Sequence, residues 1–157
     1  MVRMELGKAV LRGLVGLSLL LAGPALATSV APRSLEELVP EAGEIVLGTI
    51  VAVDVLDVQG RALHGDAART GPGLDNRMRF HLRVEEIILP RGGALPEEPV
   101  VVPLWPMWHY DLDSMQDVIG RRAIFLLQAG SHEPVYPAYF QRRPEEREAI
   151  EALLPGP

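Results

Sequence analysis

The chain has no cysteine, and of its 15 basic residues only Lys8 is a lysine. Without cysteine, disulfide cross-links, thiolate nucleophiles and cysteine-ligated zinc or iron–sulfur centres are excluded. Aromatics are scarce, at 5% of 157 residues. The apolar run Gly13–Ala22 is 10 residues long, short of the roughly 20 that a membrane-spanning helix requires. Basic excess is missing as well: the formal net charge is −6, which disfavours bulk attraction to nucleic acid or an anionic membrane. Catalytic signatures are equally thin. No Gly-x-Ser-x-Gly elbow, Gly-x-Gly-x-x-Gly turn or phosphate-binding Gly-Lys-Thr occurs.

What is present begins with an address. Arg3, Lys8 and Arg12 lead into the apolar run, Gly23-Pro24 breaks it, and Ala25-Leu-Ala27 has the small-x-small form of a cleavage site. Residues 1–27 therefore read as a Sec-type signal peptide. The expected product is periplasmic or secreted, begins near Thr28 and keeps no transmembrane anchor after cleavage. Lys8 leaves with the signal. The remaining 12 arginines against 20 acidic residues give a net charge of −8, and Schiff-base or lysine general-base chemistry leaves with the lysine.

Residues 28–157 fit one domain. Ser34-Leu-Glu-Glu37 predicts a capped short helix over Ser34–Val39. Glu44–Asp57, rich in β-branched residues, predicts a long strand with a bulge or bend at Gly48. Residues 59–76, with four glycines and no apolar period, predict a mobile loop or a functional one. From Arg77 to Ile88, Met78, Phe80, Leu82 and Val84 alternate with polar residues, giving a strand with one wet face. Val100–Leu104 and Val135–Gln141 contain prolines and predict edge strands. Arg122–Gln128, nearly all apolar, predicts a central one. Asp113–Ile119 suggests a helical turn with Met115, Val118 and Ile119 inward. Residues 144–154 form an expected C-terminal helix, with proline at its start. About five strands without βαβ alternation favour a mainly β fold, a small antiparallel barrel.

The combination Gly43-Glu-Ile-Val-Leu-Gly-Thr-Ile-Val, Phe80-His-Leu-Arg-Val-Glu-Glu-Ile-Ile and Gly120-Arg-Arg-Ala-Ile-Phe-Leu-Leu resembles uncharacterised bacterial exported proteins with an OB-like β-barrel, over roughly residues 34–140. Such domains also resemble the inhibitory domain of tissue metalloproteinase inhibitors. Those inhibitors hold their target's zinc through an N-terminal cysteine, which this chain lacks, so that mechanism does not carry over.

Two surfaces are candidates for binding. The segment Trp105-Pro-Met-Trp-His-Tyr110 concentrates Trp105, Trp108, His109 and Tyr110, whose flat faces stack while their edges hydrogen-bond; the competing reading has both indoles capping the core. On the wet strand face Arg77, Arg79, His81 and Arg83 form a basic stripe suited to an oligosaccharide or other polyanion, against ordinary cross-strand pairing with acids. His109, Asp111 and Asp113, with Asp117 nearby, are the densest ligand-like set, yet Met115, Gln116 and Arg122 stand where a calcium loop needs oxygen, glycine and glutamate. Capping by Asp113 is the simpler role. His64 with Asp66 and His132 with Glu133 are further His/carboxylate pairs. Glu85 and Glu86, as strand neighbours, are expected on opposite faces. The sequence thus predicts a non-enzymatic exported binding or interaction domain without a cofactor, its partner an envelope protein or polysaccharide. The alternatives are a metal-assisted hydrolase using His109, Asp111 and Asp113, and a structural envelope component.

Overall fold

A computed structural model describes residues 30–156. The expected signal peptide lies outside the described residues. Among the described residues no helix is long and apolar enough to cross a membrane.

The fold is mainly β. Strands β1 (Glu44–Leu56), β2 (Arg77–Leu89), β3 (Val100–Pro103), β4 (Arg122–Leu127) and β5 (Gln141–Arg142) form one antiparallel sheet in the order β3-β2-β1-β4-β5. The sheet is open, with β3 and β5 at its edges. Among the described residues three short α-helices accompany it: α1 (Leu35–Leu38), α2 (Leu112–Met115) and α3 (Arg147–Ala152). At the start of α1 the Ser34 amide donates to the Glu37 carboxylate at 2.8 Å, one half of a capping box.

Three register shifts, or bulges, lie along the β1–β2 pairing, at Ile45/Val46, Leu47/Gly48 and Ile50/Ala52, and both faces of the sheet carry a core. On β1, Val46 and Ile50 enter the larger core, and so do Val53 and Val55. The parity changes because Ile50 pairs with Leu82 and Ala52 with His81, leaving Val51 as an extra residue. On β2 the pairing skips Glu85: Met78, Phe80, Leu82 and Val84 face the larger core before the skip, and Ile87 packs on it afterwards. A slip of one residue turns every later side chain over, so these bulges keep two long strands amphipathic in the correct sense. Gly48 lies at one register shift, and a Cβ there would meet the Arg83 carbonyl oxygen at 2.8 Å. Only glycine permits that approach.

On the opposite face Ile45 and Leu47 of β1 join Ile124 and Leu126 of β4, covered by Leu38 and Val39 from one end of the chain and Ile150 and Leu154 from the other. Strand β4 is buried on both sides from Ala123 to Leu127, which explains its unbroken apolar run. Both terminal guanidinium nitrogens of Arg147 donate to Glu86, tying α3 to β2. Glu85 accepts from Thr49 Oγ1 at 2.6 Å and Arg122 Nε at 2.7 Å. These two acids therefore reach partners on the same, helix-covered side; the expectation of opposite faces fails because the bulge falls at Glu85.

Two other expectations are corrected. The strand predicted over Val135–Gln141 contracts to Gln141–Arg142, because Pro137 has no N–H to donate and Tyr139 takes a positive φ of 63°. Ile119 is exposed rather than inward; Val118 alone of that pair is buried.

Candidate functional site

The connection 59–76 carries no strand of the sheet, but it organises the aromatic segment beside it. Asp57 starts it with an Asx-type turn, its Oδ1 accepting the amides of Gln59 and Arg61 at 2.9 Å each. Further along, Ala68 accepts from the Leu112 amide at 2.9 Å and Thr70 donates its amide to the Tyr110 carbonyl at 2.9 Å. Thr70, only 2% exposed, is the one buried polar residue among the described residues. Its hydroxyl donates to the Trp108 carbonyl at 2.7 Å and accepts from the Tyr110 amide at 3.3 Å. The backbone on both sides of His109 is thus clamped by one side chain.

The rings follow from that clamp. Trp105 and Trp108 meet edge-on, with centroids 5.9 Å apart, and Trp108 meets Tyr110 at 6.1 Å. Burial pushes the Tyr110 hydroxyl up to about 12, so it stays neutral at physiological pH. Both indoles are half-buried. His109 is exposed and lies against Gly71, where a Cβ would come within 2.5 Å of Nδ1.

The basic stripe divides into paired and unpaired members. Asp54, opposite Arg79 on β1, accepts from its Nε at 2.8 Å and its second nitrogen at 2.6 Å. His81 Nε2 lies 2.9 Å from the same carboxylate and must carry the shared proton, because a carboxylate only accepts. Burial works against ionisation of Asp54, but the Arg79 and His81 hydrogen bonds outweigh it and hold the carboxyl below its ordinary range. A carboxylate depressed in the folded state stabilises fully above its unfolded pKa and loses that contribution as pH falls through the folded value. Asp54→Asn is therefore expected to cost about 1 kcal/mol at pH 7 for this partly exposed pair. The gap to wild type should close as pH drops below about 4; urea midpoints at pH 7, 4 and 3 measure it. Arg77 and Arg83, by contrast, are exposed and have no ion-pair partner among the described residues.

His109, Asp111 and Asp113 do not converge. Among the described residues no three His, Asp or Glu side chains are placed to hold a metal ion. Asp111 instead caps α2, its Oδ1 accepting the Ser114 amide at 3.2 Å. The cap sits two residues before the Asp113 expected from sequence. His132 is bound to Glu44 at 2.7 Å rather than grouped with Glu133.

Arg77 and Trp105 do converge. They line a groove of about 330 Å³ with Pro103 and Pro106 on one lip and Pro134 and Pro137 on the other. One lip continues from edge strand β3; the other is the β4–β5 connection beside the opposite edge of the sheet. Proline has no N–H, so these lips cannot be zipped together by a backbone ladder. A wider recess of about 760 Å³ shares Arg77, Pro103 and Pro106 with the groove and adds Arg79, Met107 and Leu74. Trp105 and Arg77 are both expected at the contact surface from sequence; Thr70 and the facing prolines are not, since nothing in a single sequence marks them as neighbours of that surface. Compared with protein-family models, curated proteins and solved structures, the chain finds no match.

Proposed function

We propose that the protein is an exported, non-enzymatic binding module, an OB-like barrel left open along one seam, with its ligand seated in that seam. The resemblance of its core segments to exported OB-like proteins agrees with this arrangement of one long bent strand shared between two neighbours. The observation that carries the reading is the shared groove: an indole and an unpaired guanidinium, from two surfaces that are far apart in sequence, line the same proline-edged cleft. The ring ladder from Tyr110 through Trp108 fixes Trp105 before any ligand arrives, which reduces the ordering cost of binding.

The test uses immobilised domain, cleaved of residues 1–27, and envelope polysaccharide and envelope protein fractions from the producing cells. Wild type is expected to retain material from one fraction, and Arg77→Ala and Trp105→Ala to lose it, with Arg77→Ala keeping the wild-type urea midpoint. Equal retention by all three removes the groove from the reading. Mass spectrometry of the exported protein should find a terminus near Thr28; an intact Met1 there would overturn the export half.

A further inference from the structure

We infer that Ala31-Pro-Arg33 is a latch that sets the second lip of the groove. This rests on the groove being the binding site, and deepens that reading by naming what fixes its shape.

The second lip is the β4–β5 connection, and its backbone is tied unevenly. Gln128 and Val135 donate their amides to the Glu133 and Leu126 carbonyls at 2.8 and 3.2 Å, and Leu126 donates to the Phe140 carbonyl at 2.8 Å. Between these bonds Tyr136-Pro-Ala-Tyr139 makes no backbone hydrogen bond among the described residues. Tyr139 also holds its positive φ of 63°, a conformation that is costly for a bulky side chain. Such a run keeps one position only where side chains hold it. Val135 and Pro137, on either side of Tyr136, line the groove.

Tyr136 supplies the hold. Its hydroxyl donates to the Ala31 carbonyl at 2.9 Å, and the Arg33 guanidinium lies over its ring, 5.2 Å from the centroid. Glu41 fixes Arg33 in turn, accepting from its two terminal nitrogens at 2.8 and 2.6 Å. Glu41 ends the single turn Val39–Glu41, and both Val39 and the neighbouring Leu38 are buried in the second core. The contacts thus run from a carboxylate footed on the core, through Arg33 and Tyr136, to Pro137 at the groove. The Arg33 and Glu41 side chains are 23% and 50% exposed, so their pair is weak. The latch can therefore open while both cores stay closed.

Chymotrypsin acting on the native mature domain, with cleavage sites read by mass spectrometry, tests the latch, because cleavage tracks the population of the open form. Cleavage after Tyr139 is expected to be about fivefold faster in Tyr136→Phe and in Arg33→Ala than in wild type, the effect of one lost contact of this kind. Cleavage after the buried Phe80 and Phe125 should keep its wild-type rate. Both substitutions open one latch, so the double variant should be no faster than the faster single variant. An unchanged rate at Tyr139, effects that multiply in the double variant, or an equal rise at Phe80 and Phe125 each overturn the latch. Binding is read separately, on the immobilised domain with the envelope fractions. Both variants are expected to retain less than wild type; equal retention, with Tyr139 open to the protease, overturns control of the groove. If wild type itself retains nothing, the groove reading falls and the latch's control of a site falls with it.

Discussion

Phe125→Ala is expected to lower the unfolding free energy by about 3–5 kcal/mol, a large fraction of the roughly 5–15 kcal/mol that holds a domain together. Phe125 is fully buried near the middle of β4, opposite Val46 of β1 and Gln141 of β5. Its ring lies 6.4 Å from that of Phe140, tilted by 48°. Removing it takes away the transfer free energy of a benzyl group and leaves a cavity, because β4 is buried on its other face by Ile124 and Leu126 and cannot settle inward. Phe125→Leu fills most of that space and should lose about 1–1.5 kcal/mol. Urea unfolding at constant m reads both. A loss under 1 kcal/mol for alanine, by contrast with roughly 3 or more expected for such a site, would mean that the larger core is not closed around this ring.

The same strand shows what a single sequence can reveal. The run Ala123–Leu127 is apolar without interruption because two cores meet on it, and it reads as a central strand at sight. Strand β2 is legible for a different reason: its alternation from Arg77 to Val84 is complete. The bulges are not legible. At Val51 the break is hidden because Ile50, Val51, Ala52 and Val53 are all apolar, so a change of parity leaves no mark in the pattern. At Glu85 the mark exists, two acids in succession within an alternating strand, but it also fits a strand that is simply ending. The site divides in the same way. Trp105 and Arg77 stand out by residue type; that they border one groove depends on Pro103 at the end of β3 and Pro106, Pro134 and Pro137 in the connections lining the same cavity, a relation carried by the tertiary fold alone.

Thr70→Val is expected to cost about 2–3 kcal/mol, because the two backbone groups it serves lose their partner inside the protein. The substitution keeps the shape and exchanges a hydroxyl for a methyl. The Trp108 carbonyl then loses a donor at 2.7 Å, and the Tyr110 amide loses an acceptor at 3.3 Å. The backbone bond from Thr70 to the Tyr110 carbonyl survives, so the segment stays attached but no longer has a fixed pitch. Trp108 carries that freedom to Trp105 through the edge-on ring contact, and the groove loses its preset indole although Thr70 does not line it. The variant should therefore show a red-shifted native emission and weaker retention of ligand together with its lower urea midpoint, and Thr70→Ser should restore all three. A merely structural threonine would lower the midpoint and leave emission and retention of the folded protein unchanged. It is the joint movement of the three that would place the hydroxyl in control of the groove, through a chain of contacts that begins on the opposite side of the aromatic segment.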